Sequence, residues 1–179
     1  MTKIITFGYK KGVGKSTAAK FLTTYLRLQG NTTKSVSFAS KLKDIAHQLY
    51  KWGGLQRGVY YETNYQEKEV VLPLIGKSPR QIWIELGNKV REIHPDTWIQ
   101  CALQPNGIDY IIITDLRFPN EAKAIKEADG KLVKINRPNI PTGTDPAEIE
   151  LDNWNDWDEV INNTGSLKDL NDIVINLLT

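Results

Sequence analysis

The sequence predicts an α/β fold of three layers, a central parallel sheet of about five strands with helices on both faces. Three observations carry that expectation. A short apolar run, "KIITFG" (3–8), passes through a glycine-rich loop into an amphipathic segment, the strand–loop–helix order a parallel sheet needs. "DYIIITD" (109–115) is apolar at consecutive positions, as a strand buried on both faces should be. Strand-like and helix-like stretches then alternate along the chain. The 179 residues fit one domain, 1–179, with 53–77 and 136–152 as segments that could close over a ligand.

The elements follow in order. "KSTAAKFLTTYLRLQG" continues from the first loop as a helix closed by Gly30. "SVSF" (35–38) is the second strand, and Ser40 is the expected N-cap of a helix reaching about Trp52. Residues 53–77 are rich in glycine, tyrosine and charge, with helix expected only around 65–72. Ser78 and Pro79 read as an N-cap and a first-turn proline opening a helix that runs to Ile93. His94-Pro95-Asp96 breaks it, and another helix covers 96–103. After the strand at 109–115, "PNEAKAIKEADG" is a helix started by Pro119 and stopped by Gly130. "KLVKI" (131–135) is a strand, 136–152 a polar loop, and "DEVIN" (158–162) the last strand. Ser166 and Asp169 form a capping-box pattern for the terminal helix.

Composition excludes several classes of function. Hydrophobic residues at 40% and charged residues at 25% describe an ordinary globular core. A net charge of +2 is too small for a nucleic-acid or membrane surface, so any positive site must be local. The single cysteine, Cys101, allows no intrachain disulfide and points to a reducing compartment; it is read as buried filler. The first residues are too weakly apolar for a signal peptide and no stretch suits a membrane span, which makes the cytoplasm the expected location. His47 and His94 lack metal-ligand companions and take no role.

In a parallel sheet, ligands bind beyond the carboxyl ends of the strands, which directs attention to the loops after Phe7, Phe38, Thr114 and Ile135. The first of these, "GYKKGVGKST" (8–17), is a phosphate-binding loop in the required context. Gly12 and Gly14 let backbone N–H groups of Lys11, Val13 and their neighbours turn toward phosphate oxygens, at the positive end of the next helix. Lys15 would reach the β- and γ-phosphates, Thr17 lies in the same turn, and the Ser16 hydroxyl would coordinate Mg²⁺. The loop is irregular: Tyr9 stands where the first glycine of G-x-x-x-x-G-K-[ST] belongs. Lys10 keeps two readings open. "KKGVGKST" resembles the loop of partitioning-type ATPases, where an early lysine acts across a dimer interface, yet a lysine holding phosphate charge explains it equally.

Asp115 ends its strand as a metal-holding or substrate-orienting carboxylate would, and Arg117 lies in the same loop, where a guanidinium can clamp a phosphate. Glu121 falls in the first turn of the next helix, where a surface acid favoured by the helix dipole is the plain reading. On the 78–93 helix, Ile82, Leu86, Val90 and Ile93 recur at helical spacing as the buried stripe with Trp83 at its edge, leaving Arg80, Gly87 and Arg91 on another face. A mid-helix glycine costs about 1 kcal/mol. Gly87 therefore marks either a place where a ligand approaches or close packing of two helices. Lys41, Lys43 and Lys68 are possible phosphate contacts or solvated lysines; Trp98 could stack on a base or pack, and Trp154 and Trp157 lie near a nucleotide or pin the last strand.

"TDLRFPNEAKAIKEADGKLVKINRP" resembles the bacteriophage deoxynucleoside monophosphate kinases, with their D-x-R-x-x-x-E-A, helix, glycine, strand and Arg-Pro. The resemblance extends to "LDNWNDWDEVINNTGSLKDL", "KEVVLPLIGKSPRQIWIELGNKVRE", "HPDTWI" and "FASKLKD", so that only 53–66 is weakly covered. It implies a P-loop kinase fold, ATP as donor, Mg²⁺, a deoxynucleoside monophosphate as acceptor, and a homodimer. By motif, Lys15, Ser16 and Thr17 match the ATP loop, and Lys43, Arg80, Gly87 and Asn88 match positions lining the monophosphate site. Trp98, Asp115, Arg117 and Glu121 match further substrate positions, and Arg137 falls on the ATP side. This chain departs from the pattern at Tyr9, at Ser16 where aspartate is common, at Asn88 where threonine is usual, and at Asp145 where histidine precedes the acid kept as Glu148. Two alternatives remain: a partitioning-type ATPase switch, and a P-loop kinase for a non-nucleotide metabolite such as dephospho-coenzyme A or shikimate.

Overall fold

Five strands form one parallel sheet in the spatial order β2-β3-β1-β4-β5, in a computed structural model that describes residues 2–104, 107–140 and 149–178. They are β1 (Lys3–Gly8), β2 (Thr33–Val36), β3 (Tyr110–Leu116), β4 (Lys131–Asn136) and β5 (Glu159–Asn162). β1 lies in the middle, with Thr6 opposite Ile113 of β3 and Leu132 of β4. Its last five residues are all buried. Alternation along the strand separates two faces. Ile5 and Phe7 pack with Ala18, Leu22 and Leu26 of α1 (Lys15–Leu28) and with Leu170 and Val174 of α7 (Leu167–Ile175). On the other side, Ile4 and Ile125 of α6 (Pro119–Glu127) both lie close around Gly130. The result is the expected three-layer α/β fold.

The chain divides into two compact units, one comprising Met1–Ser37 and Leu103–Thr179, the other Phe38–Ala102. The second contains α2 (Phe38–Tyr50), α3 (Tyr60–Thr63), α4 (Pro79–Ile93) and α5 (Thr97–Ala102). Its core is Leu42, Ala46, Leu55, Tyr61, Ile82, Trp83 and Trp98, with Tyr61 edge-on to Trp83 at 5.2 Å between ring centres. α4 starts where the sequence placed it. Ser78 accepts from the Gln81 N–H, and the Gln81 side chain accepts from the Ser78 N–H at 2.8 Å.

Several expectations are corrected. β2 ends at Val36, because Phe38 opens α2 and is buried there, so its apolar side chain serves a helix and Ser40 lies inside that helix rather than capping it. Residues 65–69 form a 3-10 turn followed by extended chain, not a helix to 72. Ile93 is 85% exposed, because it is the last residue of α4 and has run past the packed stripe. Cys101 is exposed; α5 buries Trp98, Ile99 and Ala102 instead. Part of the 136–152 loop, including Asp145 and Glu148, lies outside the described residues.

Candidate active site

The loop between β1 and α1 has the backbone its sequence requires. Gly12 and Gly14 have φ of 82° and 110°, the conformations that favour glycine. Tyr9, which stands where the motif has its first glycine, adopts φ of 92° as well, a conformation that favours glycine. Lys15, only 8% exposed, turns back over the loop and donates to the carbonyl oxygens of Tyr9, at 2.8 Å, and Lys10. Its ammonium is thereby held against the start of the loop. Ser16 is exposed in the first turn of α1 and Thr17 is half-buried. Among the described residues Lys11 is exposed at the loop's tip.

Tyr9 is embraced by cations. Lys134 of β4 lies 4.1 Å from its ring centre and Lys10 lies 5.0 Å away. The Lys10 ammonium also pairs with Asp152 at 3.1 Å, within its own chain. Burial, together with Asp152, holds the Tyr9 phenol above its usual pKa against the pull of Lys10. Trp157 packs on the end of β1 so closely that a Cβ on Gly8 would come within 2.7 Å of its ring. Its N–H donates to the Trp154 carbonyl at 2.9 Å. Trp157 thus pins strand and loop together.

A cleft of about 430 Å³ opens beside the loop, lined by Tyr9, Lys10 and Val13 on one side and by Asn136, Arg137, Pro138, Ile140, Asn162 and Thr164 on the other. Arg137 is exposed at its wall, and Ile140 lies against Gly12. Asn163, which took no role in the sequence although it lies in the stretch "LDNWNDWDEVINNTGSLKDL" that carries the resemblance, donates from Nδ2 to the Val13 carbonyl at 2.8 Å. The stretch was the available signal; the partner 150 residues away was not.

At the carboxyl end of β3, Asp115 is the penultimate strand residue, half-buried, and Leu116 sits opposite Gly8. Arg117 follows, half-buried, its N–H and that of Phe118 donating to Glu121 Oε2 at 2.9 and 3.2 Å. Glu121 is 4% exposed. It is a buried acid that fixes the Asp115–Arg117 turn, not a surface acid.

In the helical unit, Lys43 of α2, Lys68 of the 65–69 turn and Arg80 of α4 gather. Burial, then the charges of Lys43 and Arg80, push the Lys68 amine below its usual pKa. Lys43 lies 5.3 Å from the Trp83 ring centre and Lys68 lies 4.1 Å from that of Tyr65. Glu69 pairs with Arg80. Arg91 lies 3.5 Å from Asn88 Oδ1. Gly87 resolves toward packing: a Cβ there would sit 3.1 Å from Leu42, and its carbonyl accepts the Trp98 N–H at 3.2 Å. Trp98, 3% exposed, is a core ring rather than an open stacking platform.

No protein-family profile matches the chain. A protein of Acanthamoeba polyphaga mimivirus, provisionally named a deoxynucleotide monophosphate kinase, is 30% identical over 176 residues, covering 89% of this chain and 87% of its own. The solved shikimate kinase of Aquifex aeolicus aligns over 98% of this chain and 95% of its own, at 14% identity and a TM-score of 0.45. No helix among the described residues is long and apolar enough to cross a membrane.

Proposed function

The chain belongs to the P-loop kinase family, and we propose that within it the protein transfers the γ-phosphoryl group of ATP to a deoxynucleoside 5′-monophosphate, releasing ADP and the diphosphate. One observation carries the reading: each unit holds its own anion-receptive set, the loop at 8–17 with its inward Lys15 in one and Lys43, Lys68 and Arg80 in the other. The name of the mimivirus relative supports the acceptor class.

Phosphoryl transfer asks little covalent chemistry of a protein; it asks for two phosphates aligned and their charge neutralised. An oxygen of the acceptor phosphate attacks the γ-phosphorus as the bond to the β–γ bridging oxygen breaks. That oxygen is already ionised, so no strong base is needed. Lys15 and the amides of Lys11, Gly12, Val13, Gly14, Ser16 and Thr17 hold the donor, with Arg137 at the wall of the cleft. Arg117 balances the charge moving between donor and acceptor, on a turn that Glu121 holds. Lys43, Lys68 and Arg80 take the acceptor's phosphate, with Asn88 and Arg91 farther along α4. Gly87 and Trp98 support that helix from behind.

Mg²⁺ keeps most of its shell as water and phosphate oxygens and needs few protein ligands. Exposed Ser16 and half-buried Asp115 are oxygen donors of the kind it takes. The chemistry such an ion would supply there is neutralisation of phosphate charge.

Lys10 pairs with Asp152 of its own chain, and an exposed pair of this kind is worth only about 0–1 kcal/mol, so the switch ATPase is separated from the kinase by turnover. The test is ADP release from ATP and Mg²⁺ with each deoxynucleoside and ribonucleoside monophosphate supplied in turn. Release that depends on a monophosphate, matched by its diphosphate, is expected. Slow release indifferent to every acceptor would favour the switch, and turnover only with a non-nucleotide acceptor would favour the metabolite kinase.

A further inference from the structure

Asn163 has no place in the chemistry above, yet it is 8% exposed and bonded on two sides. Its backbone N–H donates to the Asn136 carbonyl at 2.7 Å, and its side-chain amide donates to the Val13 carbonyl at 2.8 Å. Its neighbours Asn162 and Thr164 line the cleft, and Asn162 Oδ1 accepts from Asn136 Nδ2 at 3.3 Å. A single residue therefore ties one wall of the cleft to the phosphate loop.

We infer that Asn163 is a positioning residue for the donor phosphates, because it sets the direction of the Gly14 N–H. The Val13 carbonyl and the Gly14 N–H belong to one planar trans peptide, in which they point opposite ways. Holding the oxygen toward Asn163 turns the N–H away from Asn163. Gly14 is needed twice over: its φ is 110°, and a Cβ would come within 2.7 Å of Asn163 Nδ2. Released from Asn163, the peptide can rotate and present its carbonyl to the phosphates, where an oxygen repels an oxyanion.

The inference rests on the proposed donor site, and the probes separate the two. Asn163→Asp keeps the shape but cannot donate, and Asn163→Ala removes the group without adding charge. Binding of ATP and of inorganic tripolyphosphate is measured by calorimetry for both variants and wild type, with melting temperature and steady-state kinetics alongside. Expected is a loss of tenfold or more for both ligands by a similar factor, a KM for ATP raised to match, and a KM for the acceptor within twofold. Unchanged affinities overturn the inference, as does weaker ATP with tripolyphosphate unaffected, which would place Asn163 in the wall of the cleft only. If Asn163→Asp does not fold, Asn163→Ala decides; if neither folds, the residue is structural and the inference fails. A wild-type chain that binds neither ligand overturns the kinase reading and this inference together.

Discussion

Tyr9 holds a backbone conformation that side chains with a Cβ rarely adopt, and such strain costs about 1–3 kcal/mol. What retains it is on the other side of the residue, the ring set between Lys134 and Lys10. Replacing Tyr9 by glycine or by alanine removes the ring equally, but only glycine relieves the backbone. Tyr9→Gly should therefore melt above Tyr9→Ala by at least about 2 °C, given roughly 2–4 °C per kcal/mol for a chain of this size. Equal melting temperatures would mean the strain is not borne by this residue. At Arg117 the expectation concerns rate. Arg117→Ala should lower transfer by about 10³-fold or more, the scale of a guanidinium that stabilises phosphoryl-transfer charge, with ATP affinity little changed. Unchanged turnover would remove Arg117 from the mechanism.

At the scale of elements, the sequence was most legible where local chemistry decides. Ser78-Pro79 and Ser166 with Asp169 announce helix starts that need no distant partner, and both are found as read. Legibility failed where tertiary packing chose between local options: Phe38 could extend a strand or open a helix, and burial settled it in favour of α2. β5 offers a test by pH. Asp158, just before it, would have its pKa raised by burial, but the Leu132 N–H at 2.7 Å, Lys126 at 2.6 Å and Lys131 outweigh that and hold it below the usual carboxylate range. A carboxyl depressed in the folded state stabilises above its unfolded pKa of about 3.9 and loses that contribution as pH falls through the folded value. Asp158→Asn should lower the melting temperature at pH 7, with the gap to wild type narrowing below about pH 4. A gap that stays constant down to pH 2 would remove the charge from the account.

At the scale of the molecule, the two anion-receptive sets fall in separate units, and kinetics should separate the same way. Lys15→Met should abolish ATP binding, whereas Lys68→Met should raise the KM of the acceptor by about tenfold, the worth of roughly one charge-assisted contact, with the KM of ATP within twofold. Equal effects of Lys68→Met on both substrates would dissolve that division. Lys68 was legible as a lysine but not as a member of a cluster, because its companions Lys43 and Arg80 lie on two other elements. Sheet order was illegible for the same reason, since a crossover leaves no mark on either strand it joins.

That order has a consequence for synthesis on the ribosome. The bond from Asn163 to Val13 spans 150 residues, and β1 receives its flanking strands only from residues 110–116 and 131–136. Contacts so distant in sequence cannot form until both ends have been translated, and they make for slow closure. The phosphate loop therefore leaves the ribosome well before the residues that complete it. A nascent chain halted before Asn163 would carry every residue of the loop and still lack the bond that orients it.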